Sequence, residues 1–117
     1  MNTPENITEL KPNEIFVFGS NAIGAHAGGA AKYAKDNFGA IEGIGQGLVG
    51  QTFAIDTMGR KERIEEGAEM LRDTALRLPA LTFYLTKVGS GIAGFTEAEI
   101  SPLFKDMPTN IIKPKGW

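Results

Sequence analysis

Most of the groups in this chain that could contact a ligand lie in two glycine-rich segments, each preceded by an apolar run. The first apolar run, residues 15–18, is followed by Gly-Ser-Asn at residues 19–21 and then by a stretch rich in glycine and alanine. The second run, residues 81–86, leads into a glycine-rich loop at residues 89–94. Glycine lets the backbone approach a ligand closely, and the N-terminus of a helix that follows such a loop favours anions. The pattern therefore predicts a phosphate or nucleotide site.

A few side chains near these segments have acid–base or hydrogen-bonding chemistry. His26 is the only histidine, and it either contacts a ligand, orients a water, or forms a structural hydrogen bond. Asp56, beside Thr57, either activates a water or caps a turn. Lys87 either pairs with a phosphate or lies in solvent. The hydroxyl of Ser90 is the one best placed for a phosphate oxygen, with a simple turn role as the alternative.

The first glycine-rich segment does not match the common phosphate-binding motifs. Gly19, Gly24, Gly28 and Gly29 do not reproduce the G-x-G-x-x-G spacing of dinucleotide-binding proteins, and the chain has no G-x-x-x-x-G-K-[ST] loop. A G-x-G-x-G run at residues 43–47 precedes a strand instead of opening a helix. These observations disfavour the two best-known kinds of nucleotide site.

The composition limits the classes of function. The 117 residues fit one domain, and 42% of them are hydrophobic, which is enough for one core. The absence of cysteine excludes disulfides, thiol catalysis and thiolate metal sites, and a single histidine argues against zinc. A formal net charge of −2 argues against long polyanions as partners. Because no signal-like or membrane-spanning stretch is present, we expect a cytoplasmic protein without a membrane partner.

Apolar periodicity, glycine and proline divide the chain into alternating strands and helices. After a lead-in segment, residues 1–13, we predict strands at residues 14–18, 52–55, 81–86 and 109–112. Residues 39–50 are predicted to form a glycine-rich loop. We predict helices at residues 27–38, ended by Gly39, at residues 60–78, ended by Pro79, and from the capping box of residues 96–99 onward. Pro102 predicts a kink in the third helix or a fresh start at Ser101.

Strands that alternate with helices are typical of an α/β fold with a largely parallel sheet. Right-handed crossovers would then place both glycine-rich loops at the carboxyl ends of strands, which is where ligands bind in such sheets. Two loops at one edge can hold two parts of one elongated ligand.

Four segments, in a fixed order, are characteristic when they are taken together. They are Asn21, then Gly28-Gly29-Ala30-Ala31, then Gly50-Gln51-Thr52-Phe53-Ala54-Ile55, and last Val88-Gly89-Ser90-Gly91-Ile92-Ala93-Gly94-Phe95. This order resembles the macro domain family of ADP-ribose-binding modules, and most of all its short bacterial and phage members. The resemblance implies a three-layer α/β/α sandwich with a mostly parallel central sheet. Family members usually carry an additional N-terminal strand and an Asp that reads the adenine amine, where this chain has Asn6-Ile7-Thr8.

The resemblance also implies a position for the ligand. ADP-ribose would lie across the strand ends, with its diphosphate on backbone N–H groups of residues 89–95 and its distal ribose against Asn21 and the Gly28-Gly29 turn. Phe95 would cover the diphosphate or stack on a ring. The ligand-binding residues predicted in this way are Gly19, Ser20, Asn21, Gly28, Gly29, Lys87, Gly89, Ser90, Gly91, Ile92, Ala93, Gly94 and Phe95.

Several functions remain open at this stage. If the protein is an enzyme, we expect it to hydrolyse an ADP-ribosyl linkage or a terminal phosphate without a cofactor or metal. Asn21 would then position the distal ribose, and Asp56 or His26 would assist a water. The alternatives are a non-catalytic nucleotide-sensing module that acts through protein contacts, and a binder of another phosphorylated metabolite. The expected partner is a small ADP-ribose-like nucleotide, and nucleic acid only as an ADP-ribosylated substrate. The base and the oligomeric state are not predicted.

Overall fold

One mixed sheet organises the computed structural model, which describes residues 2–4, 7–21, 29–41, 43–89 and 93–117. The strands of this sheet are β1 (Glu14–Ser20), β2 (Gly47–Val49), β3 (Thr52–Asp56), β4 (Thr82–Leu85) and β5 (Ile111–Ile112). The helices in the described ranges are α1 (Gly29–Asn37), α2 (Lys61–Arg77) and α3 (Glu97–Ile100), and a 3-10 helix, Ser101–Phe104, follows α3 directly. The strand order is β2-β3-β1-β4-β5.

The sheet is mostly parallel, as predicted. β1 lies in the middle and pairs in parallel with both β3 and β4, and β5 pairs in parallel with β4. Strand β2 is antiparallel to β3 and occupies one edge. The prediction that all of residues 39–50 form a loop is wrong for these three residues, Gly47–Val49. This short, glycine-flanked segment has too little apolar alternation to be recognised as a strand. Its turn into β3 uses Gly50 at a φ of +57°.

Hydrophobic side chains form a cluster on each face of the sheet. Successive residues of a strand point to opposite faces. Ile15 and Val17 of β1 belong to the cluster that includes Ile64 and Leu71 of α2. Phe16 and Phe18 belong to the other cluster, with Ala34 of α1 and Phe38 just beyond it. Helix α1 therefore packs on one face of the sheet and α2 on the other.

The helix boundaries follow the sequence signals closely. Helix α2 begins and ends within one residue of the predicted 60–78. Helix α1 ends at Asn37, and Gly39 takes a φ of +87° just beyond it, as predicted, whereas residues 27 and 28 lie outside the described residues. The capping box of Thr96 and Glu99 is confirmed. The predicted fresh start at Ser101 is confirmed as well, because the 3-10 helix begins there with Pro102 in its first turn.

The strand boundaries differ more. Strand β1 runs two residues beyond the predicted 14–18, β3 runs one residue beyond 52–55, and β4 and β5 are shorter than predicted. Residues at the ends of β4 instead make turn contacts, such as the N–H of Val88, which donates to the carbonyl of Thr86. Strand ends are set by pairing with neighbours, which local sequence does not encode.

The described parts of the lead-in segment lie along the sheet. The N–H of Thr3 donates to the carbonyl of Lys113, and its hydroxyl donates to the carbonyl of Ile112 in β5. Ile7 and Leu10 pack against the cluster that contains Phe16. None of the helices within the described ranges is long and apolar enough to cross a membrane.

Candidate functional site

The carboxyl ends of β1, β3 and β4 adjoin one another at one edge of the sheet. Ser20, the last residue of β1, is in register with Asp56, the last residue of β3. The N–H and the hydroxyl of Thr57 both donate to the carbonyl of Ser20, at 3.0 and 3.2 Å. On the other side of β1, the hydroxyl of Thr86 donates to the carbonyl of Val17 at 2.7 Å. Both predicted loops therefore leave the sheet at the same edge.

Near the end of β1, Gly19 lies beside Thr57 and the first residue of the second loop. A Cβ atom at Gly19 would lie 3.2 Å from the hydroxyl oxygen of Thr57 and 3.8 Å from the backbone nitrogen of Gly89. The first of these distances is tighter than an ordinary contact of a side chain. Glycine at this position therefore lets β1 pass close to Thr57, whereas the distance to Gly89 is that of an ordinary contact.

The second loop is closed by its own backbone. Gly89 takes a φ of +78°, and its carbonyl accepts a hydrogen bond from the N–H of Phe95 at 3.0 Å. A Cβ atom on Gly89 would meet Ile64 at 3.2 Å and Ile100 at 3.4 Å, so the loop begins in close contact with α2 and α3. Gly94 has a φ of +86° but has open space around it, and Ala93 lies beside it.

The side chain of Phe95 packs against the hydrophobic cluster that contains Ile64 and Ile100. The sequence-based prediction places this ring over the diphosphate or stacked on a ring of the ligand. In the structure the ring is partly buried on the core, so its contact with the core fixes the end of the loop.

Asp56 is almost fully buried, with its side chain 3% exposed. One carboxylate oxygen accepts the N–H of Met58 at 3.1 Å, and the other lies 3.4 Å from Nε of Arg63. The first contact is the turn-capping role considered for this residue. The backbone N–H of Asp56 donates to the side-chain oxygen of Gln46. Asp56 is thus part of a turn that joins β3 to the start of α2.

Lys87 is half exposed and contacts an acidic residue. Its ammonium nitrogen lies 3.5 Å from a carboxylate oxygen of Glu97, the first residue of α3. The other oxygen of Glu97 accepts the indole N–H of Trp117 at 2.9 Å. The hydrogen bond from Trp117, followed by the charge of Lys87, holds the pKa of Glu97 below its usual range.

The predicted site residues divide into three groups. At the strand ends lie Gly19, Ser20, Asn21, Asp56, Lys87 and Gly89, and the second loop returns through Ala93, Gly94 and Phe95. Gly29 begins α1. His26, Gly28, Ser90, Gly91 and Ile92 lie outside the described residues.

Other residues near this edge were not predicted from the sequence. Thr57 and Thr86 bond to the carbonyls of β1. A threonine at a strand end is a weak signal that could have indicated them. Glu97 and Trp117 are 20 positions apart, and no local pattern links them. In the part of the chain that the structure describes, no group of three or more His, Asp or Glu side chains is arranged to hold a metal ion.

A separate open groove of about 530 Å³ lies beside β5. Its lining includes Asn2, Ile112, Lys113 and Trp117. The residues that line this groove are not among the predicted site residues, and β5 is at the edge of the sheet, two strands away from β1.

No protein-family model matches this chain, and neither a curated protein nor a solved structure matches it.

Proposed function

We propose that this protein binds ADP-ribose, or a closely related nucleotide diphosphate, at the carboxyl ends of β1, β3 and β4. In this proposal the fold is a three-layer sandwich of the macro domain kind. The observation that carries the proposal is that the parallel neighbours β1 and β4, which precede the two glycine-rich segments, end at one edge, where a Cβ atom at Gly19 would lie 3.8 Å from the backbone nitrogen of Gly89.

The direction of the connections supports this location. Strand β1 leads to α1 on one face of the sheet, whereas β3 leads to α2 and β4 leads to α3, which belong to the opposite face. Adjacent parallel strands whose connections leave on opposite faces open a crevice at their carboxyl ends, and ligands bind in such crevices. Because neighbouring strands are about 4.8 Å apart, one elongated ligand can contact the ends of all three.

The chemistry of the edge fits a ribose and a diphosphate. The amide of Asn21 can both donate to and accept from ribose hydroxyls. Backbone N–H groups in a glycine-rich loop such as residues 89–95 can surround phosphate oxygens. Lys87 supplies a positive charge at the start of that loop. The proposed contacts of His26, Gly28 and residues 90–92 come from the sequence alone.

One observation favours binding without hydrolysis. A carboxylate that activates a water must offer an oxygen to that water. The two carboxylate oxygens of Asp56 face the N–H of Met58 and the guanidinium of Arg63, and the side chain is nearly buried. We therefore propose a nucleotide-binding module as the first function, with hydrolysis of an ADP-ribosyl linkage or terminal phosphate as the second.

Isothermal titration with ADP-ribose tests the proposal. We expect Asn21→Ala to weaken binding by about tenfold, because one or two hydrogen bonds are lost. Asn37→Ala, on the exposed end of α1, is the matched control and should bind as the wild type does. AMP, NAD and ribose phosphate in competition separate ADP-ribose from other phosphorylated ligands. A folded wild-type protein that shows no binding at sub-millimolar ADP-ribose would refute the proposal.

A further inference from the structure

A cation and an anion stand at the two ends of the second loop. Lys87 comes two residues before Gly89, and Glu97 comes two residues after Phe95. The hydrogen bond from the N–H of Phe95 to the carbonyl of Gly89 joins these two ends. As a result, the ammonium of Lys87 and the carboxylate of Glu97 face each other at 3.5 Å, although they are 10 positions apart.

The two partners differ in how firmly they are held. Glu97 lies in the first turn of α3, whose start is fixed by the capping box of Thr96 and Glu99. Its carboxylate also accepts the indole N–H of Trp117, and that ring packs against Phe104 with ring centres 5.8 Å apart. Lys87 has a long flexible side chain that is 51% exposed. Exposed ion pairs of this kind add little stability, so the ammonium can leave the carboxylate at small cost.

We propose that Glu97 competes with the phosphates of the bound ligand for Lys87 and thereby lowers the affinity of the second loop for anions. This inference rests on the proposed function, because it assumes that the diphosphate lies on residues 89–95. Glu97 lowers the affinity for phosphate in two ways. It occupies the ammonium of Lys87 in the free protein, and its own negative charge repels an incoming phosphate.

The proposal predicts that Glu97→Gln strengthens binding of ADP-ribose by about two- to fivefold, the size expected when one exposed charge contact is removed. The glutamine amide has nearly the same shape and keeps an oxygen for the indole N–H of Trp117. Lys87→Met should weaken binding. In the Lys87→Met background, Glu97→Gln should strengthen binding by clearly less than in the wild type, because only the repulsion is then removed.

A double-mutant cycle by isothermal titration tests this inference. Wild type, Glu97→Gln, Lys87→Met and the double variant are titrated with ADP-ribose at low and at moderate salt. Glu69→Gln, which makes the same charge change on an exposed position of α2, is the matched control. Urea unfolding followed by circular dichroism reports whether each variant keeps its fold. We expect the gain in Glu97→Gln to shrink as salt rises.

The outcomes separate the two proposals. Two results would overturn the inference about Glu97 while the proposed function stands, provided that the wild type binds ADP-ribose. In the first, Glu97→Gln binds ADP-ribose no more tightly than Glu69→Gln. In the second, Glu97→Gln raises the affinity by the same factor in the Lys87→Met background as in the wild type. If the wild type does not bind ADP-ribose, the proposed function is overturned. The same variants are then titrated with inorganic diphosphate, and the absence of binding or of coupling there overturns the inference about Glu97 as well.

Discussion

Gly67 determines how closely α2 can approach the sheet. It is buried within α2, and a Cβ atom at this position would lie 2.6 Å from the Cγ2 methyl of Ile55 in β3. That is about 0.9 Å or more below the optimal separation of carbon atoms, about 3.5 to 4.0 Å, so either the helix or the strand would have to move. The movement matters for the candidate site, because Asp56 follows Ile55 directly and contacts Arg63 of the same helix.

The effect of Gly67→Ala is the sum of two opposing contributions. Alanine is favoured over glycine in a helix interior by about 1 kcal/mol. Adding a methyl group to a closely packed core costs about 1 to 3 kcal/mol. We therefore expect the free energy of unfolding to fall by up to about 2 kcal/mol. Urea unfolding followed by circular dichroism measures this change.

Variants at Ile55 separate the two contributions. Ile55→Ala removes the methyl group that faces residue 67, so in this background Gly67→Ala should stabilise the protein by about 1 kcal/mol. Ile55→Val keeps the Cγ2 methyl and serves as the matched control, in which Gly67→Ala should still destabilise. The coupling between positions 55 and 67 should therefore be about 1 to 3 kcal/mol. If Gly67→Ala has the same effect in all three backgrounds, the contact does not limit the packing of α2.

Three further predictions concern other parts of the fold. Gly89→Ala should lower the free energy of unfolding by about 2 to 5 kcal/mol, because it adds a close contact with Ile64 to the strain of a positive φ. Gly94→Ala should cost only the strain, about 1 to 2 kcal/mol, and equal urea midpoints of the two variants would contradict this. Asp56→Ala should lower the free energy of unfolding by about 1 to 3 kcal/mol, because the N–H of Met58 loses its acceptor. Asp56→Asn keeps an acceptor for that N–H and should lower it by less. Thermal unfolding of both variants measures the difference. The pKa of Glu14 is held below its usual range, first by the N–H of Lys11 and also by the hydroxyl of Tyr84. Because the pKa is lower in the folded state, this contribution to stability is present above about pH 5 and is lost as the pH falls through the folded pKa. The urea midpoint of Tyr84→Phe should therefore differ from that of the wild type most at neutral pH. If this difference does not shrink toward about pH 3, the hydrogen bond between Tyr84 and Glu14 is not its cause.

The parts of the fold that could be predicted from the sequence are those with a local physical signal. The apolar periodicity of α2 indicates its bounds to within one residue, and the capping box of Thr96 and Glu99 indicates the start of α3. The alternation of strands and helices indicates a mostly parallel sheet. The periodicity of α2 and the capping box each lie within one continuous segment, so neighbours in the fold do not change them, and the alternation follows from the order of such segments along the chain.

The remaining features depend on partners that are distant in the sequence. Strand β2 is defined only by its pairing with β3, and the hydroxyl of Thr86 has its partner, the carbonyl of Val17, 69 positions away. The contact of Trp117 with Glu97 is also set by packing, in this case of the indole ring against Phe104. For the candidate site, the sequence indicated that both loops leave the same edge. It did not indicate that the ring of Phe95 packs on the core or that Lys87 faces Glu97.

Under the proposed function, the packing of the second loop predicts that its ends have the shape needed for binding before a ligand is present. Val88 is buried, Gly89 lies against Ile64 and Ile100, and the ring of Phe95 packs on the same cluster. These contacts belong to the hydrophobic core, so they persist whether or not a ligand is present. A loop whose ends are fixed in this way loses less conformational entropy on binding than a free loop, and the difference appears as affinity. We therefore expect changes at Gly89 to weaken the proposed binding through the position of the loop. A change at Glu97 should act through charge and leave the position of the loop unchanged.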